Sequence, residues 1–125
     1  MSNNRNRGNN YEREIVNRFK QIGFDRACTS RAESRNMDAK KVDLCNIEPW
    51  RVQVKNLSKL VDYVKVLDSM PKEEDGINVI CHKKTRKRQK NFVVEGEYVI
   101  INLEDFFDLL TEINILRKET ELIHN

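Results

Sequence analysis

The sequence predicts an α/β fold, a mixed central β-sheet with helices on its faces. Three observations carry this. Apolar residues recur at helical spacing in three separate stretches, around 10–22, 57–70 and from 103 onward. Between them, residues 41–55 and 77–102 carry the period-two alternation and β-branched content of strands. The order is helix, three strands, helix, strand, a further strand or hairpin, helix, which places helices against a sheet. With 125 residues the chain fits one domain and can bury a core without disulfides. The expected division is a flexible basic arm, 1–9, and a single domain, 10–125.

Residues 1–9 hold four Asn together with Arg5 and Arg7. They read as a mobile arm, either a frayed terminus or a basic segment that touches phosphates. Asn10–Ile22 reads as a helix striped by Tyr11, Ile15, Phe19 and Ile22 and stopped by Gly23. Glu12 shares a face with Val16 and Phe19. A carboxylate there is either a first-turn acid facing the helix dipole or a group held by a partner or a metal. Phe24–Arg31 should contain a strand that enters a polar loop, 31–41. In that region Ser30, Arg31, Ser34 and Arg35 are either phosphate contacts or ordinary loop residues.

Lys41–Ile47 and Arg51–Lys55 read as paired strands, with Glu48-Pro49 in the connection because proline cannot donate to a ladder. Leu57–Met70 reads as a helix capped by Ser58, striped by Leu60, Val64 and Leu67, and ended by Met70-Pro71. Ile77–His82 is a strand. Lys83–Lys90 carries six Lys or Arg (Lys83, Lys84, Arg86, Lys87, Arg88, Lys90) and reads as a hairpin tip or loop. Phe92–Val94 and Tyr98–Asn102 are strands around a Glu95-Gly96-Glu97 turn. Asn102 caps a last helix, with Asp105 at the reciprocal position and Leu103, Phe106, Phe107, Leu110 and Ile113 as its apolar stripe.

Net charge is only +3 but is unevenly spread. Residues 103–125 hold six acids against Arg117 and Lys118, leaving the rest of the chain near +7. A basic body with an acidic last helix suits a polyanionic partner on one side. The basic run is either a solvated turn or a nucleic-acid contact. The three cysteines, Cys28, Cys45 and Cys81, are odd in number and lack a Cys-x-x-Cys spacing. Neither a disulfide framework nor a zinc site is indicated, and reduced buried thiols are expected. His82 and His124 carry little weight as ligands. No apolar leader or membrane-length run is present, so a cytoplasmic location is expected, or the host cytoplasm if a phage encodes the chain.

Period two places Gln53 and Lys55 on one strand face, with Val52 and Val54 on the other. If the two strands of 41–55 pair, Asp43 reaches the polar face. An acid, an amide oxygen and an ammonium then meet at one sheet edge, a plausible metal site with a cation beside it.

Gly8-x-x-x-Glu12-Arg13-Glu14 opens a helix ending in Ile22-Gly23-Phe24. A Ser/Arg loop, Val42-Asp43-Leu44 and Val52-Gln53-Val54-Lys55 follow. Over roughly residues 8–56 this resembles the archaeal-type Holliday junction resolvases of the PD-(D/E)XK nuclease superfamily, especially its small phage-type members. The later chain resembles them in pattern alone. The resemblance implies a restriction-endonuclease-like core and a metal-dependent, structure-selective DNA endonuclease active in recombination or repair. It implies Mg²⁺ or Mn²⁺ held by Glu12, Asp43, Gln53 and the Val54 carbonyl. Lys55 would orient or deprotonate the attacking water or stabilise the phosphorane. It further implies a homodimer on a four-way junction, since a two-fold pair of sites matches the near two-fold substrate. Expected DNA contacts are Arg5, Arg7, Arg13, Ser30, Arg31, Ser34, Arg35, Lys83, Lys84, Arg86, Lys87, Arg88 and Lys90.

One departure stands out. The usual acid of the second motif is Gln53 here, which can ligate but brings no charge. Glu48 or Asp38 could compensate. A related nuclease on other DNA and a non-catalytic DNA-binding member of the fold are the alternatives.

Overall fold

Residues 2–33 and 35–124 are described in a computed structural model of the chain. The expected contact at Ser34 lies outside these residues. The fold is mixed α/β, as the periodicities predict. A three-stranded sheet comprises β3 (Trp50–Leu57), β4 (Ile77–Arg88) and β5 (Asn91–Ile101) in the order β3-β4-β5. Its β3/β4 pair is parallel and its β4/β5 pair antiparallel. A separate two-stranded sheet pairs β1 (Cys28–Thr29) antiparallel with β2 (Leu44–Cys45). A parallel pair needs a crossover, and the one here contains α4 (Tyr63–Ser69).

Helix α1 spans Ser2–Gln21, so the expected break between an arm and a helix at Asn10 is not there. Arg7 helps to explain the difference. Its guanidinium donates to Thr85 Oγ1 at 2.7 Å and to Asn56 Oδ1 at 3.3 Å. It also lies over the Phe92 ring, 3.6 Å from the centroid. These contacts tie the first turns of α1 to the sheet, where composition alone suggested a loose end. Gly23 ends the helical segment with φ of 114°, a left-handed conformation that costs glycine little.

Tyr11, Ile15 and Val16 of α1 pack with Val52 and Val54 of β3 and Val79 and Cys81 of β4. Ala27, Leu44 and Ile47 complete the cluster. Each fully buried aliphatic side chain contributes about 1.5–3 kcal/mol. Ile22, expected in the same stripe, is exposed. On the other face of β4, His82 is sealed in. Its Nδ1 lies 3.0 Å from the Tyr63 hydroxyl and its Nε2 3.3 Å from the Leu57 carbonyl oxygen. It is a paired core histidine.

Four local expectations are corrected. Residues 31–41 are not loop throughout but carry two short helices, α2 (Ser30–Glu33) and α3 (Arg35–Ala39). The helix expected from Leu57 starts only at Tyr63, with Asp62 as its N-cap accepting from Lys65 N at 3.1 Å. The ladder to β4 claims residues through Leu57, which pairs with Lys84. Leu60 and Val64 are left 88% and 79% exposed instead of forming a stripe. Most of the basic run, Lys83–Arg88, is part of strand β4, and only its last two residues, Gln89-Lys90, form the hairpin turn. Glu95-Gly96-Glu97 is not a turn. Pairing passes from Lys84↔Gly96 to Thr85↔Val94, so Glu95 is an extra residue in a bulge within one continuous strand.

The last helix, α5 (Leu103–His124), begins as expected, with Asn102 Oδ1 accepting from Glu104 N at 2.9 Å. None of its residues is buried. Leu103, Phe106, Phe107, Leu110, Ile113, Ile115, Leu116, Leu122 and Ile123 are all exposed. The apolar residues spread around the helix where a single stripe was expected.

Candidate functional site

The site grows from the open edge of β3. Along a strand, the N–H and C=O of one residue point to the same edge, and the next residue's point to the other. Asp43 N donates to Val52 O at 2.7 Å, and Asp43 Oδ2 accepts from Val54 N at 2.7 Å. These two bonds bracket Gln53 and set Asp43 across from it. The Val54 carbonyl opens on the same edge. Asp43 is also fastened from behind, its carbonyl accepting from Ser30 N at 2.8 Å. The expected hairpin between the two strands of 41–55 does not form. Strand β2 pairs with β1, and Asp43 reaches β3 through its side chain and its own N–H.

Glu12 comes to the site from α1 and is 9% exposed. Its Oε2 accepts from Arg31 Nε at 3.0 Å, and Arg31 Nη2 lies 3.0 Å from the same oxygen. Burial raises the Glu12 pKa, the Asp43 charge raises it further, and Arg31 works against both. Burial also raises the Asp43 pKa, opposed by the Val54 N–H and by Lys55, while Asp38 adds to the rise. Two carboxylates are thus held where their charged forms are disfavoured, with Lys55 and Arg31 as the nearby cations and Asp38 as a further acid. Both acids favour an added cation.

Gln53 supplies the sharpest observation. The residue is 8% exposed, and its Oε1 is buried with no hydrogen-bond partner among the described residues. A buried acceptor left unmade costs about 1–3 kcal/mol. Such an orphan calls for an explanation, and an ion it would face is one. Glu12, Asp43, Gln53 and the Val54 carbonyl are all hard oxygen donors, the chemistry that Mg²⁺ and Mn²⁺ prefer. Their donor chemistry is of the kind a divalent cation takes. Among the described residues no group of three His, Cys, Asp or Glu side chains is placed to hold a metal.

The expected DNA contacts divide. Arg5, Arg13 and Arg35 are exposed. Arg13 Nη1 donates to Asn10 Oδ1 at 3.0 Å. Lys87, Arg88 and Lys90 are exposed around the end of the β4/β5 hairpin. Others already have partners. Lys83 pairs with Glu14 at 3.1 Å and sits over the Tyr11 ring. Lys84 pairs with Glu95 at 2.7 Å, and Arg86 lies 3.9 Å from the same carboxylate. Arg7 is the tie described above, and Arg31 holds Glu12. Ser30 is fully buried, so its hydroxyl is not presented to a phosphate. Glu14 is 69 positions away from Lys83, and Glu95 lies across the hairpin on β5, so the run itself shows neither neutraliser.

Sequence reasoning missed the roles of Arg31 and Arg7 as partners within the chain. No spacing signals either, since both contacts are made only by tertiary packing. Comparison with protein-family models, curated proteins and solved structures finds no match to this chain.

Proposed function

We propose that this chain is a metal-dependent endodeoxyribonuclease with a restriction-endonuclease-like core of the PD-(D/E)XK type, acting on branched DNA, with the four-way junction as the preferred substrate. The observation that carries the proposal is the buried, orphaned Gln53 oxygen, on a residue whose two chain neighbours, Val52 and Val54, are bonded to Asp43. Glu12, Asp43, Gln53 and the Val54 carbonyl would hold the cation. A bound divalent ion would lower the pKa of water and neutralise charge on the scissile phosphate. Asp43 then serves as both ligand and anchor, its Val54 bond fixing the carboxylate against β3. Lys55 is placed to take a proton from the attacking water or to stabilise the charge developing on phosphate. Arg31 positions Glu12 and disfavours its protonation.

The exposed end of the β4/β5 hairpin supports a DNA-facing surface through Lys87, Arg88 and Lys90. The many large apolar residues that α5 leaves exposed support a homodimer, because monomers seldom leave much apolar surface open. Leu110→Glu should then shift the mass in solution from dimer to monomer.

A second reading is favoured by the ion pair on Glu12 and by the absence, among the described residues, of three acids placed together to hold a metal: a DNA-binding member of the fold that does not cleave. Incubating labelled DNA with Mg²⁺, Mn²⁺ or EDTA separates the two. Metal-dependent cuts that Asp43→Ala abolishes are expected. Binding without cutting in either metal would overturn the nuclease assignment and leave the binding module.

A further inference from the structure

We propose that Cys28 and Cys45 form a site of reversible covalent modification, closing to an intrachain disulfide on reaction with a small-molecule disulfide. The two residues are direct partners in the β1/β2 register, and their Sγ atoms lie 2.9 Å apart. Opposed residues of antiparallel strands have Cα atoms about 4.5–5.5 Å apart, inside the span that a disulfide requires. Closure therefore needs no rearrangement of the strands.

The two thiols have different parts. Cys28 is half-buried and its Sγ accepts a hydrogen bond from Asn46 Nδ2 at 3.3 Å. Cys45 is 4% exposed and lies within the buried core. An external reagent meets Cys28. The Cys28 thiolate attacks one sulfur of the reagent, forms a mixed disulfide and releases one thiolate. Cys45 then gives up its proton and attacks Cys28 Sγ, expelling the second thiolate. The protein loses two electrons and two protons, and the reagent is reduced to two thiols. With the two Sγ atoms 2.9 Å apart, the second attack is an intramolecular step between groups already in place.

The position gives the bond a consequence. Cys28 is two residues before Ser30, whose N–H holds the Asp43 carbonyl, and Cys45 is two residues after Asp43. The closed loop contains α2, α3, Arg31 and Asp38. Cys81 lies in the main core on β4, paired in register with Val54 and Val99, and stands apart.

The test treats the folded chain with oxidised glutathione, followed by intact-mass and peptide analysis without reductant. Wild type and Cys81→Ala should lose two hydrogens, yield a joined peptide pair containing Cys28 and Cys45, and recover with dithiothreitol. Cys45→Ala should stop at a glutathione adduct on Cys28, and Cys28→Ser should acquire none on Cys45. A glutathione adduct that persists on Cys28 in the wild type would overturn the proposal. So would joined peptides that involve Cys81 or a second chain. Circular dichroism of each variant confirms that the folded protein is being read.

Discussion

Replacing Gln53 by Glu is the most informative single change. It keeps the shape of the side chain and puts a carboxylate where the amide stands. In the wild type the Gln53 oxygen is buried without a donor, beside a site whose two acids already titrate above their ordinary range. A third carboxylate adds one negative charge to a buried group, and the effective penalty for an uncompensated buried ion is several kcal/mol. Lys55 and Arg31 offset part of this, so a loss of about 3 kcal/mol in EDTA at neutral pH follows. At about 2.1 cal/mol/K per residue, a chain of this length loses about 4 °C of midpoint per kcal/mol, or about 11 °C in all. With a cation bound the sign reverses. The new carboxylate should tighten Mn²⁺ binding about tenfold or more, about 1.4 kcal/mol or more. Thermal unfolding by circular dichroism, in EDTA and over a Mn²⁺ titration, reads both terms. Refutation takes either of two forms: Gln53→Glu is as stable as wild type in EDTA, or its loss is not recovered by metal. Either result would mean that the Gln53 oxygen does not face a cation site.

Three further outcomes follow from the same geometry. Glu12 and Asp43 have folded pKa values raised above their unfolded ones. Their contribution to stability is therefore fully present below the unfolded carboxylate range and is lost as pH rises through the raised folded values. Urea unfolding in EDTA should show stability falling across that window, and Asp43→Asn should flatten the slope while keeping an acceptor for Val54 N–H. Arg7→Ala should destabilise by about 1–3 kcal/mol, because the Thr85 hydrogen bond and the Phe92 stacking both go, measured by chemical denaturation. Neutralising Lys87, Arg88 and Lys90 should weaken DNA binding and reduce the slope of log affinity against log salt by about 1 for each phosphate no longer neutralised. Lys83→Gln should change that slope little, because Glu14 already holds the ammonium.

The sequence was legible where the signal was local. The α/β class followed from two competing periodicities, and the stop at Gly23 and the cap at Asn102 followed from backbone chemistry that depends on one or two residues. Ile77–His82 was visible for the same reason. What failed was set by distant partners. The helix expected from Leu57 lost its first turns because β3 continues along β4. Glu95-Gly96-Glu97 has turn composition, yet the pairing of β5 with β4 absorbs it as a bulge. The helical path of residues 2–9 is buttressed by an arginine finding an aromatic ring more than eighty positions away. At the site, the residue types around Asp43 and Gln53 could be read from spacing, and the two bonds that bracket Gln53 bring Asp43 to the edge of β3. Two things could not be read: that Asp43 would reach β3 by its own carboxylate, and that Arg31 would be held by Glu12.

The central claim is metal-dependent cleavage at a branch point. Its most direct test is cutting of a synthetic four-way junction beside a linear duplex of matched sequence, in Mg²⁺, Mn²⁺ and EDTA, with Asp43→Ala alongside. Paired nicks near the crossover that require the metal and vanish in the variant are expected, while the duplex stays intact. Equal cutting of duplex and junction would contradict the branched substrate. Tight junction binding with no cut in either metal would contradict the nuclease itself.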